Sequence, residues 1–278
     1  FRSDNLKWGL DVTNMYTYWM RKMTFIANSG GVPNEMEQLN AGYREERYAE
    51  DPNFTRFSSW NGGNPVGQFE YLSGTPELSK NFDDYDYTLE NTMDAADQRH
   101  DVTTRVVISG TYTPNGFGSV ATRNGGGISF YYFKGNAIRV EAMRDMVNDR
   151  GQIPQELRDA GLEQAIENVL AWNPNAFNSP TVSFSEGGIN FYYQGVCYYT
   201  VLIRHFSNNM VPVLMGYGRY GVVRNNVYQL SINKIIGPGQ PVINPPGTDP
   251  DDEDTSWISA DVNIMRWYIR NQNVEELL

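Results

Sequence analysis

The chain predicts an all-β fold, in its simplest form a β-sandwich. Three observations lead there. Aromatic residues are plentiful, with 18 Tyr, 13 Phe and 6 Trp among 278 residues, and aromatics favour strands. Short runs alternate apolar with polar side chains and are separated by turn residues, many of them among the 26 Gly. Roughly eight to ten such runs stand against a single convincing helical pattern.

The elements follow in chain order. Residues 6–12 (Leu-Lys-Trp-Gly-Leu-Asp-Val) alternate and read as a strand. Residues 14–23 are aromatic and less clear, and residues 27–80 are polar and weakly periodic, so 15–84 are expected to be mostly long surface loops, with a short helix near residues 35–47. A second strand is expected at 85–91 (Tyr-Asp-Tyr-Thr-Leu-Glu-Asn), and the strongest β signal of this half at 103–112. Residues 128–133 and 136–140 flank Lys134-Gly135 as a hairpin. Residues 152–172 read as one helix, with Pro154 in its first turn, Leu162, Ile166, Val169 and Leu170 on one face, and Asn173-Pro174 at its end. Residues 181–184 form a further strand. Residues 189–193 and 196–205 are expected to make a second hairpin around Gln194-Gly195. The runs 127–132 and 188–193 look alike, which reflects shared hairpin grammar rather than a repeat array. Val222-Val223 and residues 227–236 complete the domain. Gly237-Pro238-Gly239 ends that last strand, and Pro241, Pro245 and Pro246 stiffen the exit.

The tail sets the functional question. Residues 248–254 contain Pro250 and five acids, and read as a solvated tether. Beyond it, Ile258, Ala260, Val262 and Ile264 alternate with Ser259, Asp261 and Asn263, the period of a half-buried strand. After Ile264 the phase shifts to Met265, Trp267 and Ile269, where a bulge or a second short strand is expected. A strand on a tether either completes its own domain or adds to the sheet of a neighbour. The division expected is a β domain over 1–246, an acidic tether over 247–256 and a terminal strand over 257–278.

Composition narrows the function classes. A net charge of −11 argues against nucleic acid or an anionic membrane as partner. No apolar run approaches the roughly 20 residues of a membrane helix. The chain starts at Phe1 with no initiator Met or signal peptide, so a processed or truncated product is the expectation. Cys197 is the single cysteine, which leaves no intrachain disulfide and no zinc-ligand set; its place in a Tyr-rich strand reads as a buried structural thiol.

Catalytic motifs are weak. Gly216, Gly218 and Gly221 have the spacing of a dinucleotide fingerprint, but β-branched Val222-Val223 follows where a helix is required. His100 and His205 are the only histidines, and no serine elbow accompanies them. Asp83, Asp84 and Asp86, like the acids of the tether, lack the ligand spacing of a calcium loop and read as solvated charge. No metal and no cofactor is predicted. Asn53-Phe54-Thr55 is read as a chance glycosylation match. A secreted hydrolase stays open as a lesser reading, because a carboxylate pair leaves no fixed spacing.

Several runs resemble the type V pilins, or fimbrillins, of Bacteroidales, closest to the Mfa-type C-terminal domain. They are residues 87–92, 103–112, Gly195-Val196-Cys197-Tyr198-Tyr199 with Ile203-Arg204-His205, and, most specifically, 220–232 followed by Gly237-Pro238-Gly239-Gln240-Pro241. The likeness covers about residues 85–278, with a weaker match at 8–14. The resemblance implies transthyretin-like β-sandwich domains and no enzymatic activity. It implies export as a lipoprotein to the outer-membrane surface and assembly with other pilin subunits into an extracellular fimbrium. The strand of one subunit fills a groove that proteolysis opens in the next, and the separate N-terminal domain of such pilins would lie outside this chain. Carried over, Ile258, Ala260, Val262, Ile264, Trp267 and Ile269 are the candidate donor-strand residues. Burying four of these side chains is worth on the order of 5–8 kcal/mol. The alternative is a surface adhesin or tip subunit that uses exposed Tyr and Trp to bind a glycan or protein receptor on host or bacterial cells.

Overall fold

The computed structural model describes residues 6–17, 51, 68–93, 97–118, 127–205, 219–235 and 237–251, and the backbone of 258–266. The short helix expected near 35–47, the Asn53 sequon, Gly216, Gly218, Trp267 and Ile269 lie outside these residues.

The described residues form a sheet-rich fold of antiparallel ladders with a helical layer on one side. A three-stranded sheet runs in the order β1 (Lys7–Asp11), β4 (Arg105–Thr111), β9 (Val196–Leu202). A four-stranded sheet runs β6 (Asn136–Arg139), β5 (Phe130–Phe133), β8 (Ile189–Tyr192), β7 (Phe184–Glu186). Two shorter ladders join β2 (Thr13–Asn14) to β3 (Phe69–Glu70), and β10 (Asn226–Ile235) to β11 (Ile258–Arg266).

The aromatic alternation of the four-stranded sheet builds two cores, one on each face. Tyr131, Phe133, Phe184, Ile189 and Phe191 bury against helices α1 (Val140–Asn148) and α3 (Leu162–Trp172), with Leu162, Ile166 and Val169 pointing inward. On the other face Phe130 and Tyr192 stack at 4.6 Å between ring centroids. They share a second core with Val106, Ile108, Cys197 and Tyr199 of the three-stranded sheet, so these rings join the two sheets.

The helical region differs from the single expected helix. It is divided into a short helix α2 (Gln155–Asp159), capped by Pro154, and α3. Gly161 lies between them at φ 90°, a left-handed conformation that ends one helix and starts the next. Helix α1 was not expected at all. Val140, Met143, Met146 and Val147 have its period, but strand β6 runs straight into it, with Arg139 both the last strand residue and the N-cap. No loop marks the change.

Other expectations also change. Residues 85–91 form no strand; Tyr85 and Tyr87 are 78% and 85% exposed, and Asn91 alone bridges to Val222. With no hydrophobic face to cover, alternation there did not produce a ladder. Val222-Val223 contributes only that bridge. The strand expected at 181–184 starts at Phe184. The runs around Gln194-Gly195 are both strands but not a hairpin: β8 pairs with β5 and β7, and β9 with β4. The corner crosses between sheets, held by Tyr112 N donating to Gly195 O at 2.9 Å and Gln194 N donating to Ser129 Oγ at 2.9 Å. The similar runs at 127–132 and 188–193 become neighbours, with Tyr131 opposite Phe191.

A second corner lies at Val12, where the chain leaves one sheet for another. This buried β-branched residue sits at φ 54°, a strained value. Asp11 holds it: Oδ1 accepts from Val12 N at 2.9 Å and Leu72 N at 2.8 Å, and Oδ2 pairs with Arg105 at 2.6 Å. Both partners are buried, so removing one leaves an uncompensated charge. Asp11→Ala should therefore lower unfolding free energy by about 3–5 kcal/mol in denaturant titrations. Tyr131 provides the contrast, since its buried hydroxyl has no hydrogen-bond partner among the described residues. Tyr131→Phe should leave stability unchanged or raise it in the same titration, because no bond is lost and an unpaired polar group leaves the core.

Candidate functional site

The candidate site is the C-terminal arm, from β10 to β11. In β10, Tyr228, Leu230 and Ile232 alternate with exposed Gln229, Ser231 and Asn233, and the apolar set packs on the core that joins the two sheets. Tyr228 also ties the preceding loop, its hydroxyl lying 2.7 Å from His205 Nδ1 and accepting from Val223 N at 2.9 Å.

After β10 the chain is stitched back onto the body. Tyr199 donates its hydroxyl hydrogen to Gly237 O at 2.5 Å, and the Tyr192 hydroxyl is 2.8 and 2.7 Å from the carbonyls of Pro238 and Gly239. Tyr198 and Gln240 exchange backbone hydrogen bonds at 2.8 Å, as do Gly74 and Ile243 at 2.8 and 2.7 Å. Gly239 passes so close that a Cβ there would stand 2.2 Å from Tyr198 O, so only glycine fits.

The acidic segment does not start as a solvated tether. His100 N donates to Asp249 O, and Asp251 N to Gln98 O, each at 3.1 Å. Asp251 is 3% exposed, and its Oδ2 accepts from Thr103 Oγ1 at 2.5 Å. Burying this carboxylate rewards a charge-assisted bond, which a count of acids in the sequence does not show. The arm is thus anchored as far as Asp251.

Of the predicted donor-strand residues, Ile258, Ala260, Val262 and Ile264 all fall in β11. The strand is antiparallel to β10 and bonded to it alone, so it has one unoccupied edge among the described residues. By register Ala260, Val262 and Ile264 stand opposite Ile232, Leu230 and Tyr228. The ladder runs without a break through Ile264, Met265 and Arg266, and the rest of the region where a bulge or second short strand was expected, with Trp267 and Ile269, lies outside the described residues. A register shift occurs in β10, between Ile232 and Lys234.

Comparison with known families bears on this same region. Residues 190–273 match the family model described as major fimbrial subunit protein type IV, fimbrillin, C-terminal. This end of the chain is similar to a fimbrillin C-terminal domain. The match begins in β8 and runs past β11, a shorter span than the expected 85–278. It supports a fimbrial subunit that assembles with other pilin subunits in a cell-surface fimbrium. No curated protein matches the chain.

Within the matched segment, a side chain that carries chemistry elsewhere is used for packing. Cys197 is buried, with its Sγ 3.3 Å from Gly110 O and 3.4 Å from the Tyr199 hydroxyl. Burial pushes its thiol up to about 12. Among the described residues no three His, Cys, Asp or Glu side chains gather as metal ligands, and no helix is long and apolar enough to cross a membrane. Because a thiol with so high a pKa stays protonated at pH 8, Cys197 should resist an aromatic disulfide reagent in the native protein. It should react fully, as one thiol, once the chain is unfolded in denaturant.

Proposed function

We propose that the chain is a structural subunit that polymerises by donor-strand exchange, with Ile258, Ala260, Val262, Ile264, Trp267 and Ile269 as the exchanging residues. The observation that carries this is the one-sided ladder of β11. Ordering a strand costs about 1–2 kcal/mol per residue in backbone entropy, whether it pairs within its molecule or with a neighbour. Exchange therefore leaves that cost nearly unchanged. A groove in the next subunit adds a second hydrogen-bonded edge and buries aliphatic side chains worth roughly 1.5–3 kcal/mol each. Asp251 is the last described residue before β11, so we assign residues 252–256 as the tether and 257–278 as the exchanged segment.

The finer fold reading is a transthyretin-like β-sandwich. Its support is the core shared by Phe130 and Tyr192 of one sheet with Val106, Ile108 and Tyr199 of the other. The role is structural rather than catalytic, in an extracellular fimbrium on an outer membrane that the precursor reaches as a lipoprotein.

A second reading, an adhesin or tip subunit, draws on surface aromatics. Phe82, Tyr85, Tyr87 and Trp172 are 48%, 78%, 85% and 53% exposed, and such residues favour receptor contacts.

Deleting residues 255–278 should abolish polymers in electron micrographs of negatively stained preparations while near-UV circular dichroism stays that of a folded domain. Val262→Asp should reduce polymer length in the same way. Full-length polymers from the truncated chain would refute strand exchange.

A further inference from the structure

The structure also holds a small cleft, of about 220 Å³, that the assembly reading does not use. Its floor is a row across three strands of the four-stranded sheet. Tyr132 stands opposite Asn190, and Asn190 opposite Ser185, so register places all three on one face. Its wall is the loop from Pro238 to Asn244. The wall is fixed before any ligand arrives, by the tyrosine hydroxyls on Pro238 and Gly239 and by the Tyr198–Gln240 pair. A site built in advance avoids an ordering cost on binding.

The lining decides the ligand class. None of its ten residues is charged. The polar side chains of the lining are the amides of Asn190, Gln240 and Asn244 and the hydroxyls of Ser185, Tyr132 and Tyr192, with the Tyr132 ring beside them. Each amide carries both donors and an acceptor, which matches a ligand whose hydroxyls do both. Ser185 Oγ donates to Asn190 Oδ1 at 2.7 Å and the Asn190 amide also bonds the Tyr192 hydroxyl, which orients it and leaves one N–H for a ligand. The face of an aromatic ring is the negative end of its quadrupole and attracts polarised C–H groups. An anion would find no countercharge here and a net charge of −11 around it. The volume lies below the roughly 300–1,000 Å³ of sites for drug-sized ligands, so it takes one ring rather than a chain.

We propose that this cleft binds a single neutral pyranose unit, its apolar face on Tyr132 and its hydroxyls on Asn190, Gln240 and Asn244. The inference does not depend on strand exchange, since the cleft shares no residue with β11.

Saturation-transfer-difference NMR on the full chain tests it. The probes are methyl glycosides of glucose, galactose, mannose and N-acetylglucosamine, with sialic acid as the anionic control. At least one neutral glycoside should show transfer at millimolar concentration. Tyr132→Ala and Gln240→Ala should each weaken it tenfold or more while circular dichroism stays unchanged. Oligosaccharides that end in the same sugar then distinguish a glycan terminus from a free sugar: tighter binding of the oligosaccharide assigns the former, equal binding the latter, and both support the cleft. Absence of transfer from every neutral glycoside would overturn the proposal. So would transfer that survives both substitutions, or a preference for sialic acid.

Discussion

Two buried tyrosine hydroxyls find their acceptors in one short stretch of backbone, and those bonds fix the path of the C-terminal arm where it leaves β10. Tyr192 and Tyr199 lie in the core between the sheets, with burial raising the pKa of both phenols far above the usual range. The carbonyls they reach belong to Gly237, Pro238 and Gly239. Those bonds draw the chain after β10 tightly against β9, so tightly that Gly239 tolerates no side chain. The path of residues 237–240 and the wall of the small cleft both follow from this contact. The core and the surface features are one arrangement.

Strand positions were legible in the sequence where both faces of a segment had distinct work. Residues 103–112 and the Lys134-Gly135 hairpin carry alternation with buried partners on each side, and the structure contains β4, β5 and β6 there. The exposed 85–91 run had the same alternation with nothing to bury it. Periodicity measures amphipathicity, and a ladder forms only where a core receives the apolar face. Helix α1 was hidden for the opposite reason: its period is present, but the turn residues that announce a boundary are absent. Gly161 was visible as a glycine, yet a helix often tolerates one, and its left-handed role emerges only from the packing of α3.

The arm was legible as a strand and much less so as a path. Alternation placed Ile258 to Ile264 correctly within β11. The acids before it looked alike in the sequence, whereas Asp251 is buried on Thr103 and Asp249 accepts a backbone bond from His100. A charge run has no periodicity from which a buried member can be picked out. The aromatic side of the cleft was similarly mute, because Tyr132, Asn190 and Ser185 come from three strands and meet only through register.

The Thr103–Asp251 anchor has a mechanical meaning. At roughly 3.3–3.6 Å per extended residue, the chain from Asp251 to Ile258 reaches at most about 25 Å. Under the proposed exchange, a strand on so short a leash would engage only an immediate neighbour, and the spacing of successive molecules along the fibre would be a property of this fixed point. Tension along such a fibre would enter each molecule beside β4, at the centre of its three-stranded sheet, rather than through a frayed end.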